Sequence, residues 1–232
     1  MNNPVIIGKA TIYNMDCMEL LKATPDKFYD LAIVDPPYGI NVNHSMGRRA
    51  GNKASDFKPA VWDNEPPAVE YFNELKRISK NQVIWGANHF IDRIGMPSSC
   101  WIVWDKLFSE EVSFASCELA YTSFQTVTKR IKLSSARPDG IHPTQKPVKL
   151  YEWLLTNYAK QGDKILDTHL GSGSSAIAAN KLGFQFTGIE LDKDYFNAAC
   201  KRIEKALNQQ DMFAPAPNNQ NYDQVSFLNE TL

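Results

Sequence analysis

Two adjacent prolines, Pro36 and Pro37, constrain this chain's architecture more than any other pair of residues. They follow Asp30-Leu31-Ala32-Ile33-Val34, a short apolar, β-branched run that reads as a parallel strand buried on both faces. Proline offers no N–H to a ladder, so two in succession force the chain out of the sheet at Asp35. Asp35 and Tyr38 are thereby held on a stiff turn at the strand's carboxyl end. In open α/β sheets that edge is where ligands bind. A rigid acceptor beside a flat face suits a planar substrate bearing an amino group.

The rest of the chain alternates between strand and helix patterns. A strand is expected over Ala10–Met15, leading through Asp16-Cys17 into a short helix over Met18–Leu21. After the Pro-Pro turn, residues 39–61 are polar, basic and aperiodic, and read as a long loop. A helix follows, with Asn64 as cap, Pro66 in its first turn and an apolar stripe of Val69, Phe72, Leu75 and Ile78. Strands are expected over Gln82–Gly86, Trp101–Trp104 and Glu118–Tyr121, then a mobile basic stretch over Lys129–Gly140. Residues 148–159 show helical periodicity. They precede the strand Lys164–Asp167, a helix from Ser174 ending at Gly183, the strand Gln185–Ile189 and a last helix over Asp192–Leu207. This alternation predicts an α/β fold with a doubly wound, mostly parallel sheet over residues 1–207. Residues 208–232 are Asn/Gln/Pro-rich and read as a flexible C-terminal tail.

Composition narrows the class. The 232 residues are 43% hydrophobic and 22% charged, which suits one domain with a sizeable core. No run approaches ~18 uninterrupted apolar residues, so no membrane span is expected. Met1-Asn2-Asn3-Pro4 lacks a secretory signal's basic start and apolar run. Cys17, Cys100, Cys117 and Cys200 are scattered, which favours reduced thiols and a cytoplasmic location over disulfides. His44, His89, His142 and His169 are too dispersed to define ligand spacing, so no metal is expected. The net charge of −1 divides unevenly, because residues 1–207 hold all 25 basic groups and 23 of the 26 acidic ones, a balance of +2. Net charge neither supports nor excludes a nucleic-acid partner.

A second constellation lies at Asp167-Thr168-His169-Leu170-Gly171-Ser172-Gly173-Ser174-Ser175-Ala176, between a strand and a helix. Gly171 and Gly173 permit positive φ and close backbone approach. Glu190 ends the next strand, where a carboxylate can bridge both hydroxyls of a ribose. Gly171-x-Gly173-x-x-Ala176 with that acid also fits a dinucleotide fingerprint. Two facts favour adenosylmethionine over NAD. The segment comes last rather than first in its domain, and NAD enzymes have no use for Asp35-Pro36-Pro37-Tyr38.

In this order the motifs resemble those of the β class of DNA amino-methyltransferases, a circular permutation of the Rossmann-like methyltransferase sheet. The resemblance covers roughly residues 8–207. It implies methyl transfer from S-adenosyl-L-methionine to an exocyclic amine, chiefly N6 of adenine, in a base flipped out of double-stranded DNA. It assigns Asp35 and the carbonyl of Pro36 as acceptors from the amine, Pro37 to the rigid turn, and Tyr38 to stacking on the base. On that basis Tyr38→Phe is expected to be mild. His142-Pro143-Thr144-Gln145-Lys146-Pro147 looks like the family's segment upstream of the cofactor strand, with Thr144 and Lys146 meeting the methionine moiety. Asp16-Cys17 looks like the turn that holds the cofactor's adenine. Asp167, His169, Gly171, Gly173, Ser174 and Glu190 complete the expected cofactor set, together with Asp35. The family usually has Pro-Phe where this chain has Thr168-His169, so His169 is expected to alter cofactor affinity or add a polar contact.

Relatives that methylate cytosine N4 or protein glutamine carry Ser or Asn in place of Asp35, so adenine is favoured over cytosine N4. RNA adenine and an inactive DNA-binding protein are the alternatives. Residues 39–61 and 105–140 are the candidate target-recognition elements, with Arg48, Arg49, Lys53, Lys129, Arg130, Lys132 and Arg137 as candidate DNA contacts. Enzymes of restriction-modification, solitary enzymes and prophage enzymes share these motifs. Many relatives dimerise, which admits a homodimer. Gln209-Gln210-Asp211-Met212-Phe213 resembles the peptide by which bacterial replication proteins dock on the sliding clamp.

Overall fold

The computed structural model describes residues 3–40, 63–107, 115–135, 141, 142 and 144–211. Among the described residues nine strands form one sheet: β1 (Val5–Ile7), β2 (Ala10–Asn14), β3 (Tyr29–Val34), β4 (Ser79–Trp85), β5 (Trp101–Asp105), β6 (Cys117–Thr122), β7 (Lys129–Lys132), β8 (Lys164–Asp167) and β9 (Gln185–Glu190). Their order across the sheet is β1-β2-β9-β8-β3-β4-β6-β5-β7. The central strands β2, β9, β8, β3 and β4 are parallel, while β1 pairs antiparallel with β2, and β6 pairs antiparallel with β4 and β5.

Strand β3 shows why the centre holds. Leu31 and Ile33 enter one apolar cluster and Ala32 and Val34 the other, as the two-residue period of a strand requires. On the first face lie α4 (Val148–Tyr158), α5 (Ser174–Lys181) and α6 (Lys193–Asp211). On the second lie α1 (Cys17–Ala23), α2 (Val69–Ile78) and the short α3 (Ile91–Ile94). Helices on both faces make the sheet doubly wound, as expected. Phe72, Leu75 and Ile78 of α2 are fully buried, and truncating Phe72 to alanine would cost ~3–5 kcal/mol.

Several sequence expectations need correction. Helix α2 starts at Val69 with Ala68 as cap, because Pro66 and Pro67 hold the approach extended, so Asn64 caps nothing there. Its buried stripe takes Tyr71 and leaves Val69 52% exposed. Lys129–Lys132 is not a mobile stretch. It is the edge strand β7, parallel to β5, with Ile131 packed against the core and basic residues beside it. Strand β1, a 3₁₀ turn over Ala87–His89 and helix α3 had no clear periodic signal.

The last helix runs past Leu207 to Asp211. Gln209–Asp211, the first part of the clamp-like peptide, are therefore helical, and docking as an extended peptide would require that turn to unwind. Met212 and Phe213 lie outside the described residues, as do Arg48, Arg49, Lys53 and Arg137 and most of the 39–61 element. No described helix is long and apolar enough to cross a membrane. All four cysteines are free thiols.

Candidate active site

Parallel pairing places the carboxyl ends of β2, β9, β8, β3 and β4 along one edge of the sheet. Asp16, Glu190, Asp167 and Asp35 lie at or just past four of those ends, although up to 174 positions separate them in sequence. A cavity of about 740 Å³ opens at this edge. Its wall includes Asp16, Cys17, Asp35, Pro37, Thr144, Lys146, His169, Gly171 and Glu190 from the expected set. Its wall also includes His142, Tyr151, Leu191, Asp192 and Tyr195, which motif reading did not single out as cofactor contacts.

Not every expected residue reaches the cavity. Asp167 is 1% exposed and serves as an anchor beneath it, accepting from Ser175 Oγ at 2.6 Å and from the His169 N–H at 3.0 Å. Burial pushes its carboxyl up to about 7, against those two hydrogen bonds. Gly173, at φ +75°, is needed for packing, since a Cβ there would come within 3.0 Å of Ile203 on α6. Ser174 Oγ bonds with Ser172 Oγ at 3.2 Å and accepts from Arg202 at 3.0 Å, so it ties α5 to α6.

The residues that do meet the cavity are held by short local bonds. Asp16 caps α1, accepting from the Met18 N–H at 2.9 Å. The neighbouring Cys17 thiol is pushed up to about 12 by burial and by the Asp16 carboxylate. Glu190 accepts from the Gly171 N–H at 2.8 Å and the Asp192 N–H at 3.0 Å, which stitches the glycine turn to the end of β9. Burial raises its carboxyl above the usual range. His169 Nδ1 lies 2.9 Å from the Thr168 hydroxyl, itself 2.6 Å from Tyr71 OH. Burial holds the His169 imidazole down at about 4, so it is neutral near pH 7.

The turn after β3 is fixed from outside the motif. Asp63, 1% exposed, accepts from the N–H groups of Tyr38 at 2.7 Å and Gly39 at 3.0 Å. Tyr38 stacks on His89 with ring centroids 5.2 Å apart and planes 17° apart. The ring passes directly over Gly86, where a Cβ would lie 2.1 Å from Tyr38 Cε1. Gly86 therefore supplies both a positive φ of 68° and the clearance for the ring.

The polar centre is denser than the motif implied. Tyr38 OH donates to Asp35 Oδ1 at 2.7 Å, and Lys146 Nζ donates to Asp35 Oδ2 at 2.5 Å. Lys146 Nζ also reaches Tyr38 OH at 3.2 Å and Glu118 Oε2 at 3.1 Å, and Lys106 Nζ meets Glu118 Oε1 at 2.6 Å. Burial opposes the charge on Lys146, yet Asp35 and Glu118 hold its ammonium above the ordinary lysine range. Burial also pushes the Asp35 carboxyl up, with Lys146 pulling against it. Glu118 and Lys106 carry no motif signal, because antiparallel β6 and the end of β5 bring them to this edge only on folding. Lys129, Arg130 and Lys132 sit on β7, and the Lys129 ammonium lies 5.2 Å from the Tyr158 ring centroid. Among the described residues no cluster of His, Cys, Asp and Glu is arranged to hold a metal.

Residues 62–201 match the model of the N6/N4 DNA methylase family, and the chain belongs to that family of DNA methyltransferases. It is 25% identical to the type II methyltransferase M.HinfI of Haemophilus influenzae over 84% of this chain and 68% of that protein. To M2.LlaDCHI of Lactococcus lactis subsp. cremoris, also a type II methyltransferase, it is 26% identical over 84% and 90%. Among solved structures, the M1.HpyAVI–SAM complex aligns with a TM-score of 0.57 at 21% identity, covering 83% of this chain and 99% of that one. PvuII DNA methyltransferase, a cytosine-N4-specific enzyme, aligns with a TM-score of 0.57 at 14% identity over 86% and 92%. The Rossmann-like methyltransferase fold is thus shared. The dinucleotide reading of the glycine turn is set aside.

Proposed function

We propose that this protein binds S-adenosyl-L-methionine in the edge cavity and methylates the exocyclic N6 of adenine in double-stranded DNA. The observation that carries the reading is the opening of the Asp35-Pro36-Pro37-Tyr38 turn onto a 740 Å³ cavity whose wall holds Glu190 and Gly171. The cavity suits the cofactor chemically. Asp16, Asp35, Glu190, Asp192 and Asp194 surround it with carboxyl groups, which complements a ligand bearing sulfonium and ammonium charges. Glu190 would take a ribose diol, Asp16-Cys17 the adenine, and Thr144 and Lys146 the methionine end; all five line the cavity.

When bound, the cofactor supplies an electrophilic methyl group on sulfonium sulfur. Asp35 would accept from the target amine and offset the positive charge that develops on its nitrogen. Both Asp35 oxygens already accept one hydrogen bond each, so the direction left for the amine is preset. Tyr38 does not line the cofactor cavity; its ring would stack on a flipped base for ~1–3 kcal/mol, in competition with His89, which stacks on it here. The exposed Arg130 and Lys132 on β7 are candidate phosphate contacts.

The choice of adenine rests on Asp35, since relatives acting on cytosine N4 carry Ser or Asn there. The fold is neutral on this point, since a cytosine-N4-specific enzyme shares it. The test is to incubate the protein with labelled S-adenosylmethionine and unmethylated DNA, beside Asp35→Ala, and to identify the labelled nucleoside. Label in N6-methyladenine, lost in the variant, is expected. Label in N4-methylcytosine would refute the base assignment and keep the chemistry. No label in DNA, with label in RNA offered in a parallel incubation, would refute the DNA substrate.

A further inference from the structure

We infer that Glu118 and Lys106 form a positioning pair for methyl transfer, sharing the Lys146 ammonium between two carboxylates so that Asp35 remains a usable acceptor. This rests on the reading of Asp35 as the acceptor from the target amine. The four groups form a row of alternating charge: Asp35, Lys146, Glu118, Lys106. Successive contacts are 2.5, 3.1 and 2.6 Å. Their side chains are only 15, 3, 22 and 14% exposed, respectively. Ion pairs this buried lose much of their Coulombic gain to desolvation, so stability alone is a weak reason for building four charges into one row.

Geometry supplies a better reason. A lone Lys146 bonded to Asp35 at 2.5 Å would direct its whole charge onto the carboxylate that must bond the amine. Glu118, 3.1 Å away, draws part of that charge off, and Lys106 in turn keeps Glu118 from taking all of it. Tyr38 OH is tied to the same row, donating to Asp35 Oδ1 at 2.7 Å and reaching Glu118 Oε2 at 3.5 Å. The ammonium of Lys146 also lies 5.4 Å from the Trp85 ring centroid and 5.7 Å from that of Tyr38, which fixes it laterally. The sheet topology explains how the pair arrives. β6 runs antiparallel to β4 and so brings its first residues to the site edge, and the chain leaves β5 at the same edge through Lys106.

The groups that act on Asp35 are Lys146, Glu118 and Tyr38, with Tyr151 on α4, Tyr71 on α2 and Asp167 at the end of β8. Those around Glu118 are Lys106, Lys146 and Tyr38. Against the upward push of burial, the two lysines hold Glu118 down at about 2, so it is charged throughout the working range.

The experiment follows single-turnover methylation by the full chain against pH, at saturating cofactor and DNA, with cofactor affinity measured separately. Glu118→Gln removes a negative charge near Asp35, so the acid limb should move down by about one pH unit while the plateau rate falls roughly tenfold. Lys106→Met removes a positive charge, so the acid limb should move up, and Lys106→Arg should restore it. Cofactor affinity should stay unchanged in all three. A packing defect cannot shift the limb in opposite directions. Shifts of the same sign, no shift, or losses confined to cofactor affinity would overturn the inference. Should Glu118→Gln fail to fold, the Lys106 variants test the row from its other end. Asp35→Asn separates the two levels of argument. If it retains the wild-type rate, the acceptor reading itself fails. If it is inactive while the limb ignores Glu118 and Lys106, only the positioning pair fails.

Discussion

Replacing Asp167 by asparagine should change how stability depends on pH, with a defined sign and window. Asp167 is 1% exposed, and burial raises its carboxyl from the ordinary 3.8 to about 7, against hydrogen bonds from Ser175 and the His169 N–H. Between those values the folded protein keeps a proton that the unfolded chain has released, so this group makes stability fall as pH rises. Roughly three units at about 1.36 kcal/mol each amount to a loss of about 4 kcal/mol across the window. Asparagine carries no charge at any of these values and keeps one acceptor oxygen in place. The stability of Asp167→Asn relative to wild type should therefore climb by about 1.4 kcal/mol per unit from about pH 4 to about pH 7, then level off. Taking the difference removes titrations that do not depend on Asp167. His169, held down at about 4 by burial, makes stability rise with pH in both proteins and cancels, whereas Asp35 and Glu190, whose carboxylates act on Asp167, add a smaller change of their own to the difference. The assay is urea unfolding of both proteins at intervals from about pH 4 to about pH 8. A difference that is flat in pH, or that grows toward acid, would refute the reasoning. It would mean that Asp167 is ionised in the folded protein, like a carboxylate reached by solvent.

Three further outcomes follow from the site. Tyr38→Phe, mild if the ring only stacks, should instead slow methylation roughly 10- to 100-fold, because the hydroxyl donates to the Asp35 carboxylate; a wild-type single-turnover rate would contradict this. Gly86→Ala should lower activity to the level of Tyr38→Ala while the far-ultraviolet circular dichroism stays native, since its Cβ would occupy the space of the Tyr38 ring; retained activity would show that the ring can shift without loss. Glu190→Ala should weaken S-adenosylmethionine binding at least roughly tenfold by calorimetry, through loss of the diol contact and release of the Gly171 turn; unchanged affinity would remove Glu190 from the cofactor site.

Local chemistry made much of this protein legible before folding was considered. The β3 run, its Pro-Pro stop, the glycine turn after β8 and the carboxylate ending β9 are short-range signals. Each depends on backbone rules that act within a few residues. Their order along the chain pointed to the family, and the alternation of periods pointed to the doubly wound sheet. The same locality explains the errors. Periodicity could not separate Val69 from Tyr71 as the buried position of α2, since which face is buried depends on the sheet beneath. A basic stretch with one isoleucine gave no hint that β7 would pair with β5. Pairing across a sheet edge is a long-range event with little local signature.

Tertiary structure alone decided the electrostatics of the centre. Lys146 was legible as part of a cofactor segment, but its ammonium turns to Asp35, 111 positions away. Glu118, Lys106, Asp63 and His89 are ordinary residues in sequence that become site residues because antiparallel β6, the end of β5, the segment before α2 and the turn after β4 converge at one edge. In the other direction, Gly173, Ser174 and Asp167 match a motif yet serve helix packing and burial. A motif specifies which residue types stand near a strand end. It does not specify which way each side chain faces, because that is settled by neighbours from distant parts of the chain and by the cost of leaving any buried charge unpaired.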